Sequence, residues 1–222
     1  MKKLKVLILY AGIGGNRKDL GDEFDITAVE LDENIAAVYA DFYPNDTVVI
    51  GDAMAYLLEH FKKFDIIWLS PECPTHSDIR RVGVHGGIHA PVFPNMDLYQ
   101  IIIFLTHFYQ GRWIVENVKP YYEYLIQPTV VLGRHPFWTN FDVPNVDFDD
   151  KRNHNKIHGG STVYDVSLKE YGQIGDKRKV LRNMVNPQIG KYLVELAVNS
   201  IREEVKKISK PYTPSLFEQK VS

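Results

Sequence analysis

The run Lys5-Val6-Leu7-Ile8-Leu9-Tyr10-Ala11-Gly12-Ile13-Gly14-Gly15 decides the fold. A nearly unbroken apolar segment of strand length passes straight into a turn that holds three glycines. A strand without polar alternation is covered on both faces, as in parallel sheets flanked by helices. Outward from this run the pattern alternates. Asp25–Glu30, Thr47–Ile50, Phe64–Leu69 and Arg112–Val115 read as further strands; Asn34–Phe42, Ala53–Phe61 and Asn95–Tyr109 read as the helices between them. Strands spaced by helices of this length pair in parallel through right-handed crossovers. The expected class is therefore α/β, a mostly parallel Rossmann-like sheet with helices on both faces. From Pro128 the pattern changes. Thr129–Leu132 and Phe137–Phe141 read as neighbouring strands joined through Gly133-Arg134-His135-Pro136, and Pro187–Ile208 reads as a final helix that a proline opens.

The composition, 45% hydrophobic and 24% charged over 222 residues, is that of an ordinary globular protein. A single cysteine excludes an intrachain disulfide and a multi-cysteine metal site, and points to a reducing, cytoplasmic setting. No segment approaches the roughly 20 apolar residues of a membrane span. The net charge of −2 does not announce a nucleic-acid binder, but positive charge is clustered at Arg80 and Arg81, at Arg152 to Lys156, and at Lys177 to Arg182. Local basic faces of this kind can hold phosphates. His154 and His158 stand four apart without a third clear ligand, so no metal site is expected.

Five strand ends carry chemistry, because ligands bind at the carboxyl edge of such sheets. The first is the Gly12-Ile13-Gly14-Gly15 turn, where glycine lets the backbone approach a ligand. The second ends in Glu30-Leu31-Asp32, an acidic end suited to ribose hydroxyls; the third ends in Gly51-Asp52-Ala53, where Asp52 is either an adenine acceptor or a helix cap. The fourth leads into Ser70-Pro71-Glu72-Cys73-Pro74-Thr75-His76-Ser77, which sets a thiol at the mouth of the sheet. The fifth strand runs into Glu116-Asn117-Val118. A carboxylate at the end of an apolar strand is costly unless it is paired or used.

In combination these segments, with the late Arg182-Asn183-Met184-Val185-Asn186-Pro187, resemble the cytosine-5 DNA methyltransferase family, in particular its short phage- and prophage-borne members. The resemblance covers nearly the whole chain. It implies S-adenosylmethionine as cofactor, released as S-adenosylhomocysteine, and double-stranded DNA as partner. It implies cofactor contacts at Tyr10, Gly12, Ile13, Gly14, Gly15, Glu30, Leu31, Asp52, Ala53, Pro71 and Asn183. It makes Cys73 the nucleophile, Glu116 the residue that binds the target cytosine and Arg134 a further catalytic group. Ser77, Arg80, Arg81, Arg152 and Lys156 are the expected DNA contacts. The implied organisation is a catalytic domain over 1–141, a short target-recognition insertion over 142–175, a helical return over 176–209 and a loose tail over 210–222. A monomer or weak dimer is expected, in a DNA-methylation or restriction-modification setting.

Two departures matter. The family's Pro-Pro-Cys-Gln is here Pro71-Glu72-Cys73-Pro74, which puts a carboxylate beside the thiol, where it opposes the thiolate unless it points away or is offset. The family's Gln-x-Arg-x-Arg is reduced to Arg134. The 142–175 segment is short for reading a long site in the major groove, so a short recognition sequence, or a partner that supplies specificity, is expected. A catalytically silent DNA-binding relative, an RNA cytosine-5 methyltransferase and a nicotinamide-dependent enzyme remain as alternatives, the last disfavoured by Glu116 and by the missing third glycine of the dinucleotide fingerprint.

Overall fold

The computed structural model describes residues 3–148 and 164–208. Seven strands form one sheet: β1 (Leu4–Leu9), β2 (Phe24–Glu30), β3 (Thr47–Ile50), β4 (Ile66–Leu69), β5 (Arg112–Glu116), β6 (Val130–Leu132) and β7 (His135–Thr139). Six helices accompany them: α1 (Glu33–Phe42), α2 (Ala53–His60), α3 (Asp78–His85), α4 (Asp97–Phe108), α5 (Lys177–Arg182) and α6 (Pro187–Ile208). The sheet order is β3-β2-β1-β4-β5-β7-β6. The first five strands in chain order are parallel and β7 is antiparallel to both its neighbours. This is the Rossmann-like α/β fold expected from the sequence.

Alternate residues of each strand feed two cores. Val6, Ile8, Ile26, Ala28, Trp68 and Ile114 pack with Ile189, Leu193 and Ala197 of α6. Leu7, Leu9, Val29, Leu69 and Val115 pack with Leu57 of α2 and Leu98, Ile101 and Leu105 of α4. Both faces are therefore dry, which explains why the strands read as continuous apolar runs. A third cluster joins Ile13 and Val38 to Val166, Leu168, Leu181 and Met184, and so folds the late chain back over the glycine turn.

Several expected boundaries shift. The last strand begins at His135, two residues before the expected Phe137, because Glu116 pairs with Phe137 and Leu132 with His135. Two helices were not legible. The short α5 sits in a charged segment, and α3 lies just after the Cys73 turn. The latter is mostly exposed and carries no buried apolar stripe. Within 142–175, residues 142–148 and 164–175 contain no helix or strand, as expected.

Proline opens α6, Asn186 caps it by accepting from the Gln188 N–H, and Gly190 lets its first turn lie on the backbone of Asn16. A Cβ at Gly190 would stand 2.7 Å from the Asn16 Cα and carbonyl oxygen. Since the obstacle is backbone, Gly190→Ala is expected to lower unfolding free energy by about 1–3 kcal/mol in urea titrations. Wild-type stability in that variant would show that α6 is not docked this closely.

Candidate active site

The site lies where the parallel strands end together. Leu9 and Leu69 finish β1 and β4 and pair with each other, Leu9 also pairs with Val29, one residue before the end of β2, and Leu69 with Val115. The Cys73 turn and Glu116 therefore leave the sheet side by side. Asn117 ties them: its buried Nδ2 donates to the Pro71 carbonyl at 3.0 Å, and its own N–H donates to Pro136. Cys73 is partly exposed. Its thiol is pushed up to about 11, first by burial, then by the Glu116 carboxylate, with Glu72 a lesser cause and Arg134 acting in the opposite sense. Glu72 is solvent-exposed. The charge that chiefly opposes the thiolate is thus Glu116, rather than the Glu72 singled out from sequence.

Glu116 is not a lone carboxylate. Its Oε1 lies 2.6 Å from His135 Nδ1, and both side chains are 9% exposed. His135 escaped sequence reasoning because its role depends on the strand pairing. Arg134 beside it is exposed and donates to the Arg182 carbonyl at 3.4 Å. Under the Cys73 turn, His76 is 1% exposed. Its Nδ1 meets the Tyr122 hydroxyl at 2.6 Å, and burial lowers its pKa.

At the neighbouring strand ends, Tyr10 adopts a left-handed backbone (φ 55°), an unusual conformation for a bulky residue and one that clusters at functional sites. Its hydroxyl is pushed up to about 12 by burial and by the carboxylates of Asp97, Asp52 and Glu72. These charges, contributed by the Asp52 end and the Cys73 turn, place both within electrostatic reach of one tyrosine. Gly12 is also left-handed, and a Cβ there would meet nothing within 4 Å; the same open space lies over Gly51. Gly14, also left-handed (φ 76°), and Gly15 are crowded by neighbouring side chains. A Cβ at Gly14 would strike Tyr43 and Tyr39, and one at Gly15 would stand 2.4 Å from Met184 Cγ. The Ile13 side chain is likewise buried in the third core.

Glu30 accepts from the N–H groups of Gly12, Leu31 and Asp32, which locks the first two strand ends together. Asp52 caps α2 through Ala55 N–H, and Ala53 is buried in its first turn. Leu31 is 68% exposed beside them. Asn183 is exposed and caps the end of α5, whereas Asn186 is buried. Of the expected DNA contacts, Ser77 caps α3 through Ile79 N–H, Arg81 pairs with Asp78 at 2.7 Å, and Arg80 reaches the Ala90 carbonyl at 3.5 Å. Arg152 and Lys156 lie outside the described residues, as do His154 and His158. Among the described residues there is no cluster of three His, Cys, Asp or Glu that could hold a metal, and no helix is long and apolar enough to cross a membrane. A charged hollow lined by Lys5, Arg17, Asp25 and Asp46 lies at the opposite edge of the sheet and takes no part.

No protein-family model matches the chain, and no curated protein matches it. Solved structures do. DNMT2 of Spodoptera frugiperda is 19% identical with a TM-score of 0.41, over 67% of this chain and 54% of that one. A candidate DNA modification methyltransferase encoded within an E. coli prophage is 21% identical with a TM-score of 0.34, over 55% and 34%. A conserved hypothetical protein of Streptococcus pyogenes is 14% identical with a TM-score of 0.39, over 63% and 86%. The chain thus spans about half of the first and a third of the second. At these scores the likenesses carry no argument about activity.

Two measurements test the geometry. Asn117→Ala leaves the Pro71 carbonyl without its buried donor and is expected to cost about 1–3 kcal/mol in thermal or urea unfolding; no loss would mean that the turn is held elsewhere. Because its pKa is raised, the Cys73 thiol should be largely protonated at pH 8, so iodoacetamide should react slowly there and progressively faster up to about pH 11. A plateau already reached near pH 8 would contradict the burial and carboxylate effects.

Proposed function

We propose that the protein transfers a methyl group from S-adenosylmethionine to carbon 5 of a flipped-out cytosine in duplex DNA, through a covalent Cys73 adduct. The single observation that carries this reading is the convergence of the partly exposed Cys73 thiol and the Glu116 carboxylate at one edge of the sheet, tied by the Asn117 donation to Pro71.

The residues present fit the cofactor. Open space over Gly12 and Gly51 leaves room for it. Glu30 stands ready for ribose hydroxyls, Asp52 for the adenine amino group, and the exposed Leu31 gives an apolar wall for the ring. When bound, S-adenosylmethionine supplies an electrophilic sulfonium methyl. The chain supplies the rest. Carbon 5 of cytosine is too weak a nucleophile unaided. The Cys73 thiolate adds to carbon 6, and the displaced π electrons move toward carbon 5 and ring nitrogen 3, making carbon 5 nucleophilic. Glu116 holds the exocyclic amine, and in its protonated form donates to nitrogen 3 as charge gathers there. After methylation a base removes the carbon 5 proton and the thiolate leaves. The ring is unreachable inside a duplex, so the base must leave the stack. The exposed α3 arm, with Arg80 and Arg81, stands beside the Cys73 turn to meet the backbone, and a partner that supplies sequence specificity fits the short 142–175 segment.

The raised Cys73 thiol favours a second reading, a silent relative that binds DNA without methylating it. DNA that contains 5-fluorocytosine separates the two, since fluorine blocks the final elimination. With S-adenosylmethionine present, a denaturation-resistant protein–DNA adduct is expected. Cys73→Ser should abolish it and retain cofactor binding by calorimetry. Cofactor binding without an adduct on any DNA would establish the silent relative; an adduct on RNA alone would move the substrate to RNA.

A further inference from the structure

The Glu116–His135 pair has no task in the chemistry above. Antiparallel pairing sets Phe137 opposite Glu116, so His135 is the diagonal neighbour of Glu116 on the same face of the sheet. The two are 2.6 Å apart and both nearly sealed from water. The other charged or titratable groups that act at this corner are Cys73 and Glu72 from the turn after β4, and Arg134 from the turn between β6 and β7.

We propose that His135, as an imidazolium, is the counter-ion of Glu116 and thereby a positioning residue for the Cys73 nucleophile, acting through the carboxylate. The proposal takes from the proposed function that Cys73 is a nucleophile and that Glu116 holds the base. A thiolate and a carboxylate in one half-dry corner repel, and the repulsion is strong where water is scarce. Removing the carboxylate would lose the group that reads the base. A proton on His135 instead turns the carboxylate–imidazole pair from a net charge of −1 to zero and leaves the carboxylate in place. Arg134 is exposed and acts on the thiol in the favourable sense. His135 is buried and in direct contact with Glu116, so its charge acts on the carboxylate itself.

The chain has one cysteine, so alkylation by iodoacetamide reads this thiol alone. Rates are measured on the full chain from pH 6 to pH 11 in wild type, His135→Asn, His135→Arg, Glu116→Gln and the Glu116→Gln/His135→Asn double variant, with circular dichroism checking the fold. His135→Asn should slow alkylation at pH 7 by about tenfold, the equivalent of one unit in thiol pKa. His135→Arg should restore the wild-type rate. Glu116→Gln should speed alkylation, and adding His135→Asn to it should cause no further slowing. Wild-type rates in His135→Asn at every pH would overturn the proposal, as would equal slowing in the Glu116→Gln background. If His135→Asn fails to fold, His135→Gln takes its place: wild-type rates in that variant at every pH would overturn the proposal. No nucleic acid or cofactor enters the assay, so failure of the methyltransferase reading leaves its outcome untouched.

Discussion

Parallel pairing of β4 with β5 is the constraint on which the site depends. Parallel strands that pair to their last residues release their chains at one edge, so the match of Leu69 with Val115 brings the Cys73 turn and Glu116 together. The dry cores on both faces of the sheet hold that register, because a one-residue slip would move Ile67 and Leu69 off the α4 side and Trp68 off the α6 side. The Asn117 donation to Pro71 then converts shared strand ends into a fixed distance.

Burial sharpens the chemistry and also opposes it. The surroundings that shelter a nucleophile raise the cost of ionising it, and the carboxylate suited to hold a base adds to that cost. The fold meets the difficulty with a second strand reversal. The β6–β7 hairpin runs antiparallel into the sheet and delivers Arg134 and His135 to the corner that the parallel strands open. The cofactor side is simpler. There Glu30 is spent mainly on three backbone N–H groups, so the strand ends are held in shape before any ligand arrives.

Much of this was legible in the sequence. Apolar runs gave the strands, and Thr47–Ile50 and Pro187–Ile208 were read to the residue because turn and proline signals bound them. The convergence of Cys73 with Glu116 followed from parallel topology alone. What was not legible depended on pairing between distant segments. His135 meets Glu116 only through antiparallel register, and the apolar face of α3, with Ile79 and Val82 at helical spacing, stays exposed rather than packing into a core. The glycine turn shows how far local sequence reaches. Gly12 faces open space, whereas Gly14 and Gly15 are small because Tyr43, Tyr39 and Met184 crowd them, and nothing in the turn itself separates those reasons.

The central claim is that one cleft holds a methyl donor beside the Cys73 thiol and the Glu116 carboxylate. A crystal structure of the protein with S-adenosylhomocysteine tests it most directly. The account predicts the ribose on Glu30, the adenine between Leu31 and Asp52, and the ligand sulfur facing the space between Cys73 and Glu116. Ligand bound at another edge of the sheet, or Cys73 and Glu116 turned away from the ligand sulfur, would contradict it.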